Sequence, residues 1–340
     1  MSRSNNFLIL IFLLISISVI VSLVAAHTPL NPSEEIHSLD TAFEIPNPTK
    51  SWTLYRELHH EGEAEYFKLH LNSGERLRAN LYIKEIKENF SPNLIIIGEN
   101  LQDADLLPVF IEIPEGFGAN LIESLTPEKL EYEPFTPASY YYLIDVDETI
   151  ANEGDFYLVI YEPNLEEGKY GIAIGYKEEF TLSEWLLIPF DVIGIHQWEG
   201  QSLLLILAPL LFSLVFGFVL LSWKSLLKLD ILNLVGVSAG LLYFGSGLML
   251  MLQMLLVLIG STFDLLVVVT LVFVSLPMLL GFVLVKKIVF FKGKLSTRDR
   301  IVLVVLALAG LFTWSGLLLG PALVMFVSLL PNRVFRKNNS

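Results

Sequence analysis

The sequence predicts a membrane protein with three parts: an N-terminal signal peptide, an extracytoplasmic antiparallel β-sandwich and a C-terminal bundle of four transmembrane α-helices. Three observations support this fold class. An apolar run near the N-terminus ends in small residues, residues 27–178 alternate apolar and polar side chains over short segments, and four long apolar runs follow Gln201. We therefore expect one exported domain and one membrane domain.

Residues 1–26 have the composition of a secretory signal peptide. Arg3 precedes an apolar core from Phe7 to Val24, and Val24 and Ala26 occupy the small-residue positions that a signal peptidase recognises. We expect cleavage after Ala26. The alternative is an uncleaved anchor helix, because the apolar core is just long enough to span a bilayer. In both cases the following chain lies outside the cytoplasm.

Charge divides the chain in the same way as hydropathy. Residues 27–200 contain 33 acidic and 10 basic side chains, a net charge of −23, whereas residues 201–340 contain 3 acidic and 11 basic ones, a net charge of +8. A nucleic-acid partner is not expected, since binding phosphates requires clustered basic side chains. The sequence has no cysteine, which excludes thiol catalysis, iron-sulfur clusters and cysteine zinc sites.

Strict alternation marks the exported domain, residues 27–178. In 64–83, Phe67, Leu69 and Leu71 share one face and the alternation resumes after a turn, which predicts a two-stranded hairpin with one buried face. Further segments rich in Ile, Val and Tyr predict strands over 93–98, 109–113, 140–144, 156–161 and 170–176. Without intervening helices these strands predict an antiparallel sandwich. The acidic stretch 145–155 is interpreted as a solvated loop.

Three stretches of this domain resemble the pre-peptidase C-terminal (PPC-like) family of exported, jelly-roll-like β-sandwiches, which are accessory and binding modules. The stretches are EYFKLHLNSGERLRANLYI from Glu65, DADLLPVFI from Asp103 and GDFYLVIYEPNLEEGKYGIAIGY from Gly154. The segment between Gly116 and Ser139 departs from the compact family pattern. Some members bind calcium near the matching acidic pair, so the resemblance implies a calcium site at Asp103 and Asp105, with solvated surface acids as the alternative.

Residues 179–200 are predicted to form an amphipathic connector on the outer membrane surface. Thr181 and Glu184 have the spacing of a capping box, which predicts the start of a short helix. Trp198 lies just before the first apolar run, where an indole ring favours the headgroup region of the bilayer.

The four apolar runs are each at least as long as the roughly 20 residues that cross a bilayer. They extend over 203–223, 231–259, 263–291 and 301–330, within a membrane domain of residues 201–332. The loops after the first and third runs are rich in lysine, and the loop after the second has no base. The positive-inside rule predicts a multi-pass protein of the cell membrane, with basic loops in the cytoplasm and the acidic domain outside.

The basic tail, residues 333–340, conflicts with four spans, because four spans place it outside the cytoplasm. The last run contains Gly310, Gly316, Gly320 and Pro321. A bent or re-entrant segment that returns the tail to the cytoplasm is therefore the alternative. We favour four spans.

The composition of the apolar runs gives little support to transport. They contain no ionisable side chain away from their ends, whereas ion pathways and proton relays normally need such groups. Gly236 to Gly240 spell a serine-hydrolase motif, but this copy lies within an apolar run. We interpret these glycines, and Gly316 with Gly320, as small residues that permit close helix packing.

Cleavage after Ala26 would expose His27 with a free amino group and an imidazole, a pair of ligands suited to copper. A second histidine would complete a T-shaped site, and the candidates are His59, His60 and His70. Adjacent residues of a strand face opposite ways, so only one of His59 and His60 could join it. The alternative is that all four are surface histidines.

The sequence indicates no class of enzyme, since it has no HExxH, P-loop or dinucleotide-binding motif. We expect a membrane-anchored extracytoplasmic binding, adhesion or accessory protein. Its partners would be the lipid bilayer and either another integral membrane protein or a surface ligand. The first alternative is a copper-binding protein that uses His27, and the second is a small-solute channel or transporter subunit. No cofactor is assigned, and copper and calcium are the candidates.

Overall fold

The computed structural model describes residues 27–32, 35–59, 62–86, 90–99, 101, 107–126, 129–260, 264–291 and 293–331. The predicted signal peptide, the basic tail, His60, Asp103 and Asp105 lie outside these residues. The chain forms two compact units, here called the β unit and the helical unit. The β unit comprises residues 27–131 and Ser139–Glu184, and the helical unit comprises Tyr132–Ala138 and residues 185–331.

Eleven strands are formed by the described residues. They are β1 (Thr28–Pro29), β2 (Phe43–Glu44), β3 (Trp52–Leu58), β4 (Ala64–Leu71), β5 (Arg76–Ile83), β6 (Asn93–Glu99), β7 (Phe117–Ile122), β8 (Glu131–Glu133), β9 (Ala138–Thr149), β10 (Gly154–Tyr161) and β11 (Gly168–Ile174). The six-stranded sheet has the order β1-β3-β11-β5-β9-β8, and the five-stranded sheet has the order β2-β4-β10-β6-β7.

Both sheets are mixed. The short edge strands β1 and β2 pair in parallel with β3 and β4, whereas the pairs among the longer strands β3 to β7 and β9 to β11 are antiparallel. The expected antiparallel arrangement therefore holds for the long strands and is wrong for the two edges.

Alternating side chains of both sheets contribute to one apolar core. Leu54 and Ile172 of the six-stranded sheet belong to the same buried cluster as Phe67, Leu69 and Leu71 of the five-stranded sheet. All five side chains are fully buried. The buried face predicted for β4 is thus confirmed, and it follows from the period of two that a strand imposes on its side chains.

The hairpin predicted over 64–83 is wrong. Both strands form, but β4 lies between β2 and β10 in one sheet and β5 lies between β11 and β9 in the other. Alternation defines which face of a strand is buried and does not define its neighbours. Two strands that face one core from opposite sheets therefore show the same pattern as a hairpin.

Two other segments of the β unit also differ from the predictions. Residues 109–113 are not a strand, and Pro108 before them and Pro114 after them cannot donate to a sheet ladder. The acidic stretch 145–155 is not a loop throughout, because β9 continues to Thr149. Its residues Asp145 and Asp147 contact arginines of the paired strand β5, and the Arg76 Nε donates to Oδ1 of Asp147 at 2.8 Å.

Six helices are formed by the described residues. They are α1 (Leu182–Trp198), α2 (Leu203–Trp223), α3 (Ile231–Gly260), α4 (Val267–Val289), α5 (Thr297–Phe312) and α6 (Leu319–Leu329). The helices α2, α3 and α4 are long and apolar enough to cross a membrane. They coincide closely with the first three predicted spans. The capping box expected at the start of α1 is present, since Thr181 and Glu184 exchange hydrogen bonds.

The fourth predicted span, 301–330, is not one helix. It divides into α5 and α6 at a turn in which Trp314, Gly316, Leu317 and Leu318 all have positive φ. The two helices fold back on each other, because the Arg300 guanidinium donates to the carbonyl oxygen of Leu330 at 2.6 Å and to that of Ser328. The C-terminal end of the fourth apolar run therefore lies beside its N-terminal end, as a re-entrant segment requires.

Small residues allow α3 and α4 to approach closely. A Cβ atom added to Gly281 of α4 would lie 2.5 Å from the carbonyl oxygen of Gly240 in α3 and 2.6 Å from the amide nitrogen of Phe244. Gly236 similarly lies against Ile288. The glycine motif in the second run is thus a helix-packing surface, in agreement with its interpretation from sequence.

Candidate functional site

The helical unit contains a cavity of about 80 Å³. It is lined by α1, the first turn of α2, the second half of α3, the first half of α4 and the turn between α5 and α6. Most lining side chains are apolar or aromatic, including Val192, Met249, Phe273 and Trp314. The lysine-rich loops follow the C-terminal ends of α2 and α4, and therefore lie at the other end of the helical unit.

One wall of the cavity comes from the segment Tyr132–Ala138, which belongs to the helical unit although it includes the end of β8 and the first residue of β9. The Thr270 hydroxyl of α4 donates to the Pro134 carbonyl oxygen at 2.8 Å and lies 2.7 Å from the Tyr132 hydroxyl. These bonds fix Phe135, whose ring lines the cavity. The segment is part of the stretch that departs from the PPC-like pattern, and its aromatic residues pack on helices.

The turn between α5 and α6 supplies another wall through Trp314. Its indole Nε1 donates to the carbonyl oxygen of Trp185 in α1 at 2.8 Å, and the centroids of the two indole rings are 5.3 Å apart. The Phe135 ring contacts Trp314 edge to face, with centroids 6.0 Å apart. Aromatic rings held in this way give a rigid apolar surface.

The polar side chains of the cavity are satisfied with one exception. Ser246 and Thr313 donate to carbonyl groups of the preceding helical turn at 2.8 and 3.0 Å. The amides of Gln253 and Gln201 exchange two hydrogen bonds of 2.8 Å. The exception is His196 of α1, whose Nε2 has no hydrogen-bond partner among the described residues.

The other nitrogen of the His196 ring is held firmly. Nδ1 lies 2.9 Å from Oε2 of Glu199, and both side chains are only 1% exposed. His196 lines the cavity, whereas Glu199 is not among the lining residues. The Nε2 atom is itself buried, and a molecule the size of water does not reach it from the cavity.

The histidines proposed for copper lie at separate places in the β unit. His27 Nδ1 is hydrogen-bonded to Ser51 at the beginning of β3, whereas His59 follows the end of β3. Eight residues of extended chain separate Ser51 from His59 by about 26 Å, so His27 and His59 are too far apart to bind one ion. The N-terminal amine and His60 lie outside the described residues, and the copper hypothesis stays a prediction.

His70 is exposed on β4 and interacts with two carboxylates, one in the adjacent strand β10 and one in the residue before that strand. Its Nδ1 lies 2.8 Å from Oδ1 of Asp155, and its Nε2 lies 3.5 Å from Oε1 of Glu153. The hydrogen bond to Asp155 raises the pKa of His70 above its ordinary value. Asp103 and Asp105, the residues proposed for calcium, lie outside the described part of the chain.

One group of three potential metal ligands occurs among the described residues. It consists of His37, Glu63 and Glu65 and contains none of the predicted histidines. Glu65 is buried and already bonded, since its carboxylate accepts hydrogen bonds from the Arg56 guanidinium and the Tyr170 hydroxyl. The presence of Glu65 in this group is therefore explained by its ion pair with Arg56 in the β unit.

Sequence reasoning did not single out the cavity or His196. A signal was present, because His196 and Glu199 are three residues apart, a spacing that brings two side chains together at the end of the largely apolar helix α1. The cavity itself is assembled from segments that are far apart in sequence, and no local pattern identifies it.

Comparison with known proteins gives no assignment. No protein-family model matches the sequence, and no curated protein matches it significantly.

Proposed function

We propose that this protein is a membrane-anchored, extracytoplasmic binding or accessory protein whose helical unit binds a small apolar ligand. The observation that carries the proposal is the cavity beside His196. Ligand sites are typically concave and mostly apolar, with a few placed polar groups, and this cavity has those features. Its volume of about 80 Å³ is several times the space that one water molecule needs.

The helices support binding rather than ion transport. The described residues of α2, α3 and α4 carry charged side chains only near an end, as Lys286 and Lys287 do in the last turn of α4. A pathway for ions would require charged groups or exposed backbone within the membrane. His196 lies in the last turn of α1 and its partner Glu199 directly follows this helix, so both are ahead of the first span.

The orientation in the membrane belongs to the same proposal. Residues 27–200 have a net charge of −23 and residues 201–340 have a net charge of +8. These charges favour an orientation in which the β unit, a sandwich that follows a cleaved signal peptide, lies outside the cytoplasm. With three spanning helices, the lysine-rich loop between α4 and α5 is cytoplasmic. The contact of Arg300 with Leu330 then directs the basic tail to the cytoplasm as well, which removes the conflict with the positive-inside rule.

Photolabelling in nanodiscs tests ligand binding. A diazirine analogue of butanol, which is small enough for this cavity, should label peptides that contain Val192 and Met249, and unlabelled butanol should reduce this labelling in a saturable manner. Val192→Phe fills the cavity and should abolish the saturable part. Val215→Phe adds the same ring on α2, where Val215 is 67% exposed, and should leave the labelling unchanged. Equal labelling of wild type and Val192→Phe contradicts the proposal.

Cysteine accessibility tests the orientation, because the chain has no cysteine of its own. A membrane-impermeant maleimide should label Ser73→Cys, in the turn between β4 and β5, on intact cells. It should label Lys224→Cys, after α2, only when the cells are lysed. Labelling of Lys224→Cys on intact cells, with Ser73→Cys protected, contradicts the proposed orientation.

A further inference from the structure

Two loops at one end of the helical unit form a single surface. The loop between α2 and α3 is held to the loop between α4 and α5, because the Lys228 ammonium donates to the Phe291 carbonyl oxygen at 2.8 Å. Leu295 of the second loop is buried in the apolar cluster against which Leu226 of the first loop packs. We call this surface the basic end and define it as the described residues of 224–230 and 286–300.

The basic end has an excess of positive charge. Its described residues include seven basic and two acidic side chains, a net charge of +5. Both carboxylates are already bonded, since Asp230 accepts from the backbone amide of Asn233 at 3.0 Å and Asp299 accepts from the Lys287 ammonium at 2.8 Å. The positive charge is therefore not balanced within the described part of this surface.

Four of the seven basic side chains are exposed and have no carboxylate within 4 Å among the described residues. They are Lys224, Lys286, Lys294 and Arg298. Like charges that share a surface repel one another, so an anion bound among them lowers the electrostatic energy. Ammonium and guanidinium groups also donate strong hydrogen bonds to phosphate oxygens.

Exposed apolar side chains adjoin these cations. Trp223 is 80% exposed at the end of α2, and its ring centroid lies 5.6 Å from Nζ of Lys224. Phe290 is 64% exposed directly after α4. An aromatic ring at the end of a spanning helix favours the headgroup region of a bilayer. A molecule that contacts both kinds of side chain needs a negative group and an apolar part.

From these observations we infer that the basic end binds an anionic phospholipid, whose phosphate contacts the exposed cations and whose acyl chains lie against the apolar side chains of α2 and α4. In the orientation proposed above, this surface faces the cytoplasmic leaflet, which has a negative surface potential. The inference goes beyond the proposed function, since it concerns the end of the helical unit opposite to the cavity.

Lipid binding to the purified full chain in a nonionic detergent tests the inference. Native mass spectrometry gives dissociation constants for phosphatidylglycerol, which is anionic, and for phosphatidylcholine with the same acyl chains, which is zwitterionic. One basic side chain near a lipid surface is worth about fivefold in affinity for an anionic lipid. One or two such contacts predict that phosphatidylglycerol binds about five- to thirtyfold more tightly.

A double variant shows whether the basic end causes this preference. Lys224→Gln with Lys294→Gln removes one exposed cation from each loop and should lower the preference about fivefold or more. Binding of phosphatidylcholine should not change. Lys129→Gln with Lys177→Gln is the matched control, because it removes two exposed lysines of the β unit, and it should keep the wild-type preference. Thermal unfolding midpoints show that both variants are folded.

Three outcomes would overturn the inference. Wild type that binds both lipids equally has no site for an anionic headgroup. An equal loss of preference in both double variants assigns the effect to net charge and not to the basic end. Glycerol 3-phosphate that binds as tightly as phosphatidylglycerol identifies a site for a free phosphate instead of a lipid. Photolabelling of the cavity is a separate measurement, so this inference and the proposed function can fail independently.

Discussion

The contact between α3 and α4 frames the cavity, and Gly281→Ala tests it most sharply. A Cβ atom at Gly281 would lie 2.5 Å from the Gly240 carbonyl oxygen and 2.6 Å from the Phe244 nitrogen. Both atoms belong to the backbone of α3 and cannot rotate away. Since relaxed contacts of this kind need about 3.5 Å, the two helices must separate by about 1 Å.

The expected effect is a balance of two terms. Overpacking a rigid contact costs about 1–3 kcal/mol, and we take the upper value because backbone atoms clash. Alanine improves on glycine in a helix by about 1 kcal/mol. The variant Gly281→Ala should therefore lose about 2 kcal/mol in the free energy of unfolding, within the ranges for overpacking and helix propensity.

Gly194→Ala in α1 is the matched control, because nothing lies within 4 Å of a Cβ atom added at this helical position. It should be neutral or more stable than wild type. The assay is the thermal unfolding midpoint of the full chain, purified in one detergent and followed by intrinsic fluorescence. If Gly281→Ala is as stable as Gly194→Ala, the described packing of α3 on α4 is wrong.

Three further predictions concern single contacts. Glu65→Gln removes the buried charge that accepts hydrogen bonds from the partly buried Arg56 guanidinium and should cost about 2 kcal/mol in urea unfolding. Asp155→Asn should lower the raised pKa of His70 toward about 6.5 in an NMR titration; the stability from this pair is present below that value and is lost as pH rises through the folded pKa of His70. Thr270→Val should increase hydrogen exchange in the segment 132–138, because it removes the two hydrogen bonds that the Thr270 hydroxyl makes. Unchanged stability, an unchanged His70 pKa and unchanged exchange are the respective results that would contradict these contacts.

The hydropathy pattern of a single segment was sufficient to predict its structure where one physical force dominates. The span of α2 is predicted to the residue, because a long apolar run bounded by polar residues has one stable solution in a bilayer. The faces of β4 follow in the same way from alternation. The pairing of β4 with β10 depends on contacts between distant segments, and an alternating pattern contains no information on them.

The last apolar run shows where hydropathy fails. Hydropathy reports that residues 301–330 are apolar, but the break depends on the left-handed conformation of Trp314, Leu317 and Leu318, which are not glycine. Such conformations are uncommon for these residues. They are compatible with this turn because Trp314 is held by its hydrogen bond to Trp185.

The cavity could not be predicted for a related reason. Its wall at Phe135 comes from a segment between strands, and the hydrogen bonds of Thr270 that position it connect residues more than 130 positions apart. The functional expectation from sequence concentrated on histidines of the exported half. The histidine that is among the lining residues of the cavity, His196, lies in the connector, where only its pairing with Glu199 distinguishes it.

A high-resolution structure of the protein purified directly from its membranes tests the central claim most directly. We predict density for a bound molecule larger than water in the cavity, in contact with Val192, Met249 and Phe273. A cavity occupied by water alone, while lipid is resolved on the outer faces of α2 and α4, would contradict it.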